Sequence, residues 1–195
     1  MLDLTNENVY FVSDTHFNHH KLCSEYPDRF DRFRTYKYVN EMNEDMVDKW
    51  NKTVTKDDVV IFLGDFCYGR PFHKLPQMAK EFYQRLNFKG MIWVEGNHDD
   101  VIRKEFSNLL PNLKFKYKDN IYLCQHEPYY DNPPFLLANR DANVLVHGHT
   151  HSTRPTSKVD NLIQNNVCWE AWYRPVHIDE LVINNMNNVT NGVLK

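Results

Sequence analysis

Glycine is scarce in this chain of 195 residues, which contains only 6. Few positions can therefore take a tight or left-handed turn without strain. The four cysteines, Cys23, Cys67, Cys124 and Cys168, lie far apart and form no Cys-x-x-Cys pair. That spacing speaks against a structural zinc site and against a disulfide framework, and the cysteines read as reduced, small buried hydrophobes of a cytoplasmic protein. No apolar run approaches the roughly 20 residues of a membrane-spanning helix, so no membrane partner is expected. The segment from Met1 to Val9 is polar and acidic and lacks the form of a signal peptide. An excess of basic charge is also missing. The net charge is -3, which disfavours long nucleic acid as a partner.

What is present is the composition of a soluble globular protein, with 42% hydrophobic and 25% charged residues. The length suits one core, and no repeat or linker divides it, so residues 1-195 read as a single domain with a frayed, Asn-rich tail at 184-195. Val9 to Ser13, Val59 to Leu63 and Met91 to Val94 are short apolar runs that read as strands. The runs Lys37 to Asn51 and Leu75 to Leu86 place apolar residues at helical spacing between them, which gives a βαβαβ first half. Leu113 to Tyr117 and Ile121 to Cys124 read as a hairpin around Lys118-Asp119-Asn120, and the alternating lysines of its first arm suggest a sheet edge. Asn143 to Val146 is a further strand. Val159 to Ile163, Val167 to Trp172 and Val176 to Ile183 read as closing antiparallel strands.

Five clusters of oxygen- and nitrogen-bearing side chains fall at the ends of these apolar runs. They are Asp14-Thr15-His16, Gly64-Asp65, Gly96-Asn97-His98-Asp99, Gln125-His126 and Gly148-His149-Thr150-His151. In open α/β sheets ligands bind beyond the carboxyl ends of strands. Carboxylate, imidazole and amide donors without thiolate suit Mn, Fe, Zn or Ni. Asp14 and His16, two apart, can turn toward one ion, His149 and His151 can serve neighbouring ions, and the single carboxylate of Asp65 can bridge them. A histidine beside a ligand, His98, suits a proton donor near neutral pH. Three of the six glycines, Gly64, Gly96 and Gly148, stand next to these residues. Asn18 and His19, just past His16, are candidates for contact with substrate phosphate. The aromatic stretch Glu127 to Asn139 could stack a base, though a loop packing its own rings is the favoured reading. His20, His73 and His177 read as surface or core histidines, His147 as a residue packed beneath the last motif, and Trp169 and Trp172 as core or interface residues.

In their order and over residues 9-151, these motifs resemble the calcineurin-like metallophosphoesterase superfamily. The opening Asp14-Thr15-His16-Phe17-Asn18-His19 is similar to that of its small stand-alone bacterial and phage members. The resemblance implies an α/β fold, a four-layer αββα sandwich with mixed sheets, around two divalent transition-metal ions. It assigns Asp14, His16, Asp65 and His151 to the first ion. Asp65, Asn97, His126 and His149 go to the second, and His98 protonates the leaving group. The chain departs from the superfamily's protein phosphatases, having Gly64-Asp65-Phe66-Cys67-Tyr68-Gly69-Arg70 where they carry a further Asp and an Arg-Gly pair. It also has Asp99 where they have Glu, as many phosphodiesterases of the family do. The expectation is a phosphodiesterase acting on a small or terminal diester such as a cyclic nucleotide. A phosphomonoesterase or phosphoprotein phosphatase is the alternative, as is a non-catalytic scaffold of the same fold, of which the retromer subunit is an example.

Overall fold

The structure, a computed structural model, describes residues 1-23, 34-131, 133-159 and 162-184. Its strands and helices are β1 (Leu2–Asp3), β2 (Val9–Val12), α1 (Val39–Thr53), β3 (Val59–Phe62), α2 (Leu75–Arg85), β4 (Gly90–Trp93), β5 (Leu113–Tyr117), β6 (Asn120–Cys124), α3 (Pro133–Ala138), β7 (Val144–His147), β8 (Thr156–Val159), β9 (Leu162–Asn166), α4 (Trp169–Trp172) and β10 (Val176–His177). They build two mixed sheets. One has the order β10-β2-β3-β4 and the other β1-β5-β6-β7-β9-β8.

Alternation along the strands divides the core. In β3, Val60 and Phe62 face helices α1 and α2, where they meet Met42, Met46, Trp50, Ala79 and Phe82. Ile61 and Leu63 point the other way and pack on Phe115, Tyr122, Cys124, Val144 and Val146 of the second sheet. Every residue of β3 is buried, as a central parallel strand covered on both faces requires. The outer face of the second sheet, Leu123 and Leu145, meets Tyr129, Leu136 and Ala142. Helix α1 forms because Val39, Met42, Met46, Val47 and Trp50 recur on one face. Its first turn is closed by the Tyr38 N–H donating to Glu41 Oε2 at 3.3 Å. Trp50 is wholly buried and donates its indole N–H to the Asn87 carbonyl at 2.9 Å. Truncating it to alanine would cost about 3–5 kcal/mol.

Register places the site. Val12 pairs with Phe62 and Phe62 with Trp93, all in parallel, so β2, β3 and β4 end together. Cys124 pairs with Val146 in parallel, so β6 and β7 end together.

Four expectations need correction. Val167–Trp172 is not a strand: residues Trp169–Trp172 form α4, which ends on Tyr173 in the left-handed conformation. The aromatic, β-favouring composition hid a helical turn whose Trp169 ring is seated in the α1 and α2 core. The closing strands are only partly antiparallel. β8 and β9 form an antiparallel hairpin and β10 runs antiparallel to β2, but β9 returns parallel to β7. β5 is not an edge, because β1 pairs with it at Leu2↔Phe115 and Asp3↔Lys116. The stretch Glu127 to Asn139 folds in part into a short turn of 3-10 helix and α3, and residue 132 lies outside the described residues. The β5–β6 hairpin stands as expected, with Lys118 at φ 54° in its turn. Of the tail, Asn184 is buried and its amide bonds to the Ile163 and Asn143 carbonyls; the rest lies outside the described residues.

Candidate metal centre

Asp14, His16, Asp65, His149 and His151 all have left-handed φ, between 45° and 69°. Non-glycine residues take this conformation at a cost of about 1 kcal/mol or more, which surrounding structure must offset. Each turns the chain sharply where a strand has just ended, and so aims its side chain into the gap between the sheets. Glycines make the turns possible. Gly64 has φ 89°, and a Cβ there would stand 2.4 Å from Gly96 N. A Cβ on Gly96 would stand 2.3 Å from Asp65 Oδ1. The two glycines thus let the ends of β3 and β4 touch.

The side chains gather in two groups. In the first, Asp14 Oδ1 lies 4.0 Å from His16 Nε2 and 3.6 Å from His151 Nε2, and the two imidazole nitrogens face each other at 3.1 Å. In the second, Asn97 Oδ1 lies 3.0 Å from both His126 Nε2 and His149 Nδ1, which are 3.2 Å apart. Asp65 Oδ2 belongs to both, at 3.4 Å from His16 Nε2 and 3.6 Å from His126 Nε2. Donor atoms bound at about 2.0–2.2 Å to one ion sit about 3–3.6 Å apart; the second group and most pairs of the first have that spacing, and Asp14 to His16, at 4.0 Å, is slightly wider. Asp14 Oδ1 and His16 Nδ1 are buried with no hydrogen-bond partner among the described residues. Two buried carboxylates beside each other need a compensating cation. Their field is visible at His126. Burial lowers its pKa, but the nearby carboxylates of Asp65 and Asp14 outweigh that and raise it to about 9. The residues therefore fit a pair of cations.

A second layer of contacts sets each donor. Asp14 Oδ2 accepts from Ser13 Oγ, from the His149 N–H at 2.8 Å and from Cys168 Sγ at 3.2 Å, which leaves Oδ1 for the site. Asp65 Oδ1 accepts the His98 N–H at 2.8 Å, leaving Oδ2. His126 Nδ1 donates to the Leu63 carbonyl at 2.6 Å, and His151 Nδ1 donates to Glu170 Oε1 at 3.0 Å. Both bonds keep a proton on Nδ1 and aim Nε2 at the site, the orientation in which a cation would displace the Nε2 proton. Glu170 is itself gripped by Arg34, with Nε at 3.1 Å and Nη2 at 2.9 Å, and the same guanidinium donates to the Asp14 and Thr15 carbonyls at 2.6 Å. Burial would raise the Glu170 carboxyl, but the Arg34 charge and the His151 bond bring it down to about 2.

Asp99 is not a partner of the His98 ring. It is buried, and its carboxylate accepts the N–H groups of Asp65, Phe66 and Gly96 and the Trp93 indole. His98 packs instead against Tyr68, ring centroids 4.6 Å apart, and His16 at 5.6 Å. With His16, Asp65, Asn97, His149 and His151 it lines one cavity of about 290 Å³. His19 also lines that cavity. Asn18 does not: it is buried, and its Nδ2 turns to Met78 Sδ. His147 lies buried beneath, its Nδ1 on the Gly148 carbonyl, His20 and His73 are exposed, and the cysteines are free and buried.

Sequence reading missed Arg34 and Glu170. A carboxylate inside the apolar run Val167-Cys168-Trp169-Glu170-Ala171-Trp172 was the available signal, because a buried charge requires a partner. No such signal marked Arg34.

The model of the calcineurin-like phosphoesterase family matches residues 8–125. An uncharacterised protein of Methanocaldococcus jannaschii is 27% identical over 190 residues, covering 92% of each chain. The Gene 66 protein of Mycobacterium phage D29 is 26% identical over 211 residues, covering 95% of this chain and 99% of its own. Among solved structures, a protein of unknown function from Aquifex aeolicus shares the fold with a TM-score of 0.68 at 20% identity, over 90% of this chain and 97% of its own.

Proposed function

The chain belongs to the calcineurin-like phosphoesterase family, and on that premise we propose that it is a metal-dependent phosphodiesterase of small or terminal diesters, with nucleotide esters such as cyclic nucleotides as the substrate class. The observation that carries this reading is the single oxygen, Asp65 Oδ2, common to both donor groups. Asp14, His16, Asp65 and His151 would hold one ion and Asp65, Asn97, His126 and His149 the other, with Mn, Fe, Zn and Ni all compatible with such donors. When bound, the ions would acidify a shared water and offset charge on the phosphoryl oxygens.

The protein's own part is positional and protonic. The Nδ1 hydrogen bonds orient the His126 and His151 rings in advance, so ligation needs loss of the Nε2 proton but no rearrangement of those rings. The backbone N–H of His98 is tied to Asp65 Oδ1, which holds its ring over the same cavity. From there a ring nitrogen would give its proton to the leaving oxygen as the P–O bond breaks. No lysine or arginine is among the described residues lining that cavity. A diester, with one negative charge, needs no such clamp, whereas a monoester dianion gains more from one. The free, buried cysteines are compatible with a reducing, cytoplasmic setting.

Hydrolysis of bis-p-nitrophenyl phosphate and p-nitrophenyl phosphate by metal-stripped protein refilled with Mn, Ni, Zn or Mg tests the reading. Diester turnover that requires metal and disappears in Asp65→Asn supports it. Monoester turnover alone would make the protein a phosphatase. Folded protein that binds no metal at micromolar concentration would be a scaffold.

A further inference from the structure

The cavity of the donor groups is flanked by two clefts of opposite character. One, about 460 Å³, is bordered by Glu95, Asn97, Asp100, Gln125, His126 and Glu127. It is acidic, with no lysine or arginine among its described lining residues. The other, about 430 Å³, is bordered by His19, His20, Lys21, Tyr68, Arg70 and Phe72. It has two cations and aromatic rings, and no carboxylate among its described lining residues. His19 lines both this basic cleft and the central cavity.

Tyr68 joins the basic cleft to the proton donor. Its ring centroid is 4.6 Å from that of His98 and 4.6 Å from that of His19, and Phe72 meets its edge at 6.2 Å. The Arg70 guanidinium lies 5.5 Å over the Phe72 ring, a face that attracts cations and planar groups alike. Between Tyr68 and Arg70 the floor is bare backbone. Gly69 has φ 140°, and a Cβ there would stand 2.6 Å from the Asn18 carbonyl oxygen. The loop thus lies flat against Asn18, and the cleft presents the exposed Phe72 ring and the Tyr68 ring with Lys21 and Arg70 beside them.

Chemistry fixes which half of a substrate enters. A general acid protonates the leaving oxygen, so the group attached to that oxygen lies on the His98 side. We propose that the Lys21–Tyr68–Arg70–Phe72 cleft binds the leaving half of the diester, and that this half is a nucleoside carrying a phosphate of its own. The base stacks on Phe72 and meets Tyr68 edge-on, and the phosphate meets Arg70 and Lys21. The acidic cleft repels that phosphate, which sets the direction of binding. The substrate is then a linear nucleotide diester, because the leaving oxygen of a cyclic mononucleotide brings no second phosphate. This inference rests on the phosphodiesterase reading above and replaces its cyclic mononucleotides with linear nucleotide diesters.

The test is calorimetric titration of adenosine 3′-monophosphate, of adenosine and, as the control for binding at the cluster itself, of inorganic phosphate into Mn-loaded protein. The nucleotide should bind, and adenosine should bind about tenfold or more weakly. Arg70→Glu should raise the nucleotide Kd about tenfold or more, with little effect on adenosine, and Phe72→Ala should weaken both. Both side chains are exposed, and circular dichroism confirms that the variants fold. Nucleotide affinity unchanged in Arg70→Glu, or no nucleotide binding at all, overturns the proposal. The two readings fail separately. Metal-dependent diester turnover with no Arg70-dependent binding removes only the cleft assignment. Arg70-dependent binding without turnover keeps the cleft and removes the hydrolase.

Discussion

The two donor groups share Asp65, yet they are built differently. The Asp14–His16–His151 group is mostly buried and is braced by charged side chains, because the Arg34–Glu170 pair orients His151 and ties down the Asp14 and Thr15 backbone. The Asn97–His126–His149 group is more open. Asn97 is exposed, His149 is half-buried, and the support there is main-chain, from the Leu63 carbonyl and the Gly64–Gly96 contact. A deep group fixed by an ion pair should hold its cation tightly, and an open group with a neutral amide donor should exchange more readily. The difference teaches that two sites joined by one oxygen need not have one affinity.

The largest effect should come from erasing the shared atom's charge. Asp65→Asn should lower diester kcat/KM by about a thousandfold or more and leave fewer than two ions per chain by elemental analysis; a variant that keeps two ions and full turnover would break the comparison at its root. Next, Gly64→Ala should cost about 3 kcal/mol, because its Cβ meets Gly96 backbone in a left-handed conformation. Thermal unfolding measures it, and an unchanged midpoint would deny the close contact of β3 and β4. Glu170→Gln should weaken the deep site about 10- to 100-fold, read by metal titration and by an altered Co visible spectrum. Asn97→Ala should be smallest, weakening only the open site by about tenfold. If Asn97→Ala proves more damaging to metal affinity than Glu170→Gln, the ranking of the two sites is inverted.

The donor residues of both groups could be read directly in the chain. Val59 to Leu63 is apolar throughout and ends at Gly64-Asp65, so both the buried strand and the turned carboxylate are local facts. The same holds for β2 before Asp14 and β7 before Gly148. Helices α1 and α2 were legible from period alone. The brace was not. Arg34 and Glu170 are 136 positions apart, and no local rule joins them. Nor does local propensity decide whether Trp169 and Trp172 sit in a strand or a helical turn, since that depends on the α1 and α2 core into which Trp169 packs.

The ends of β2, β3 and β4 bring Asp14, His16, Asp65 and Asn97 from one sheet, and the ends of β6 and β7 bring His126, His149 and His151 from the other. Polar ties already cross this seam, from the His149 N–H to Asp14 and from His126 to the Leu63 carbonyl. Cations seated there would add a clasp to the few hydrogen bonds that already join the two layers. Metal supply would then set the mechanical cohesion of the whole sandwich, and amide exchange deep in both sheets would slow in step as the clasp closes.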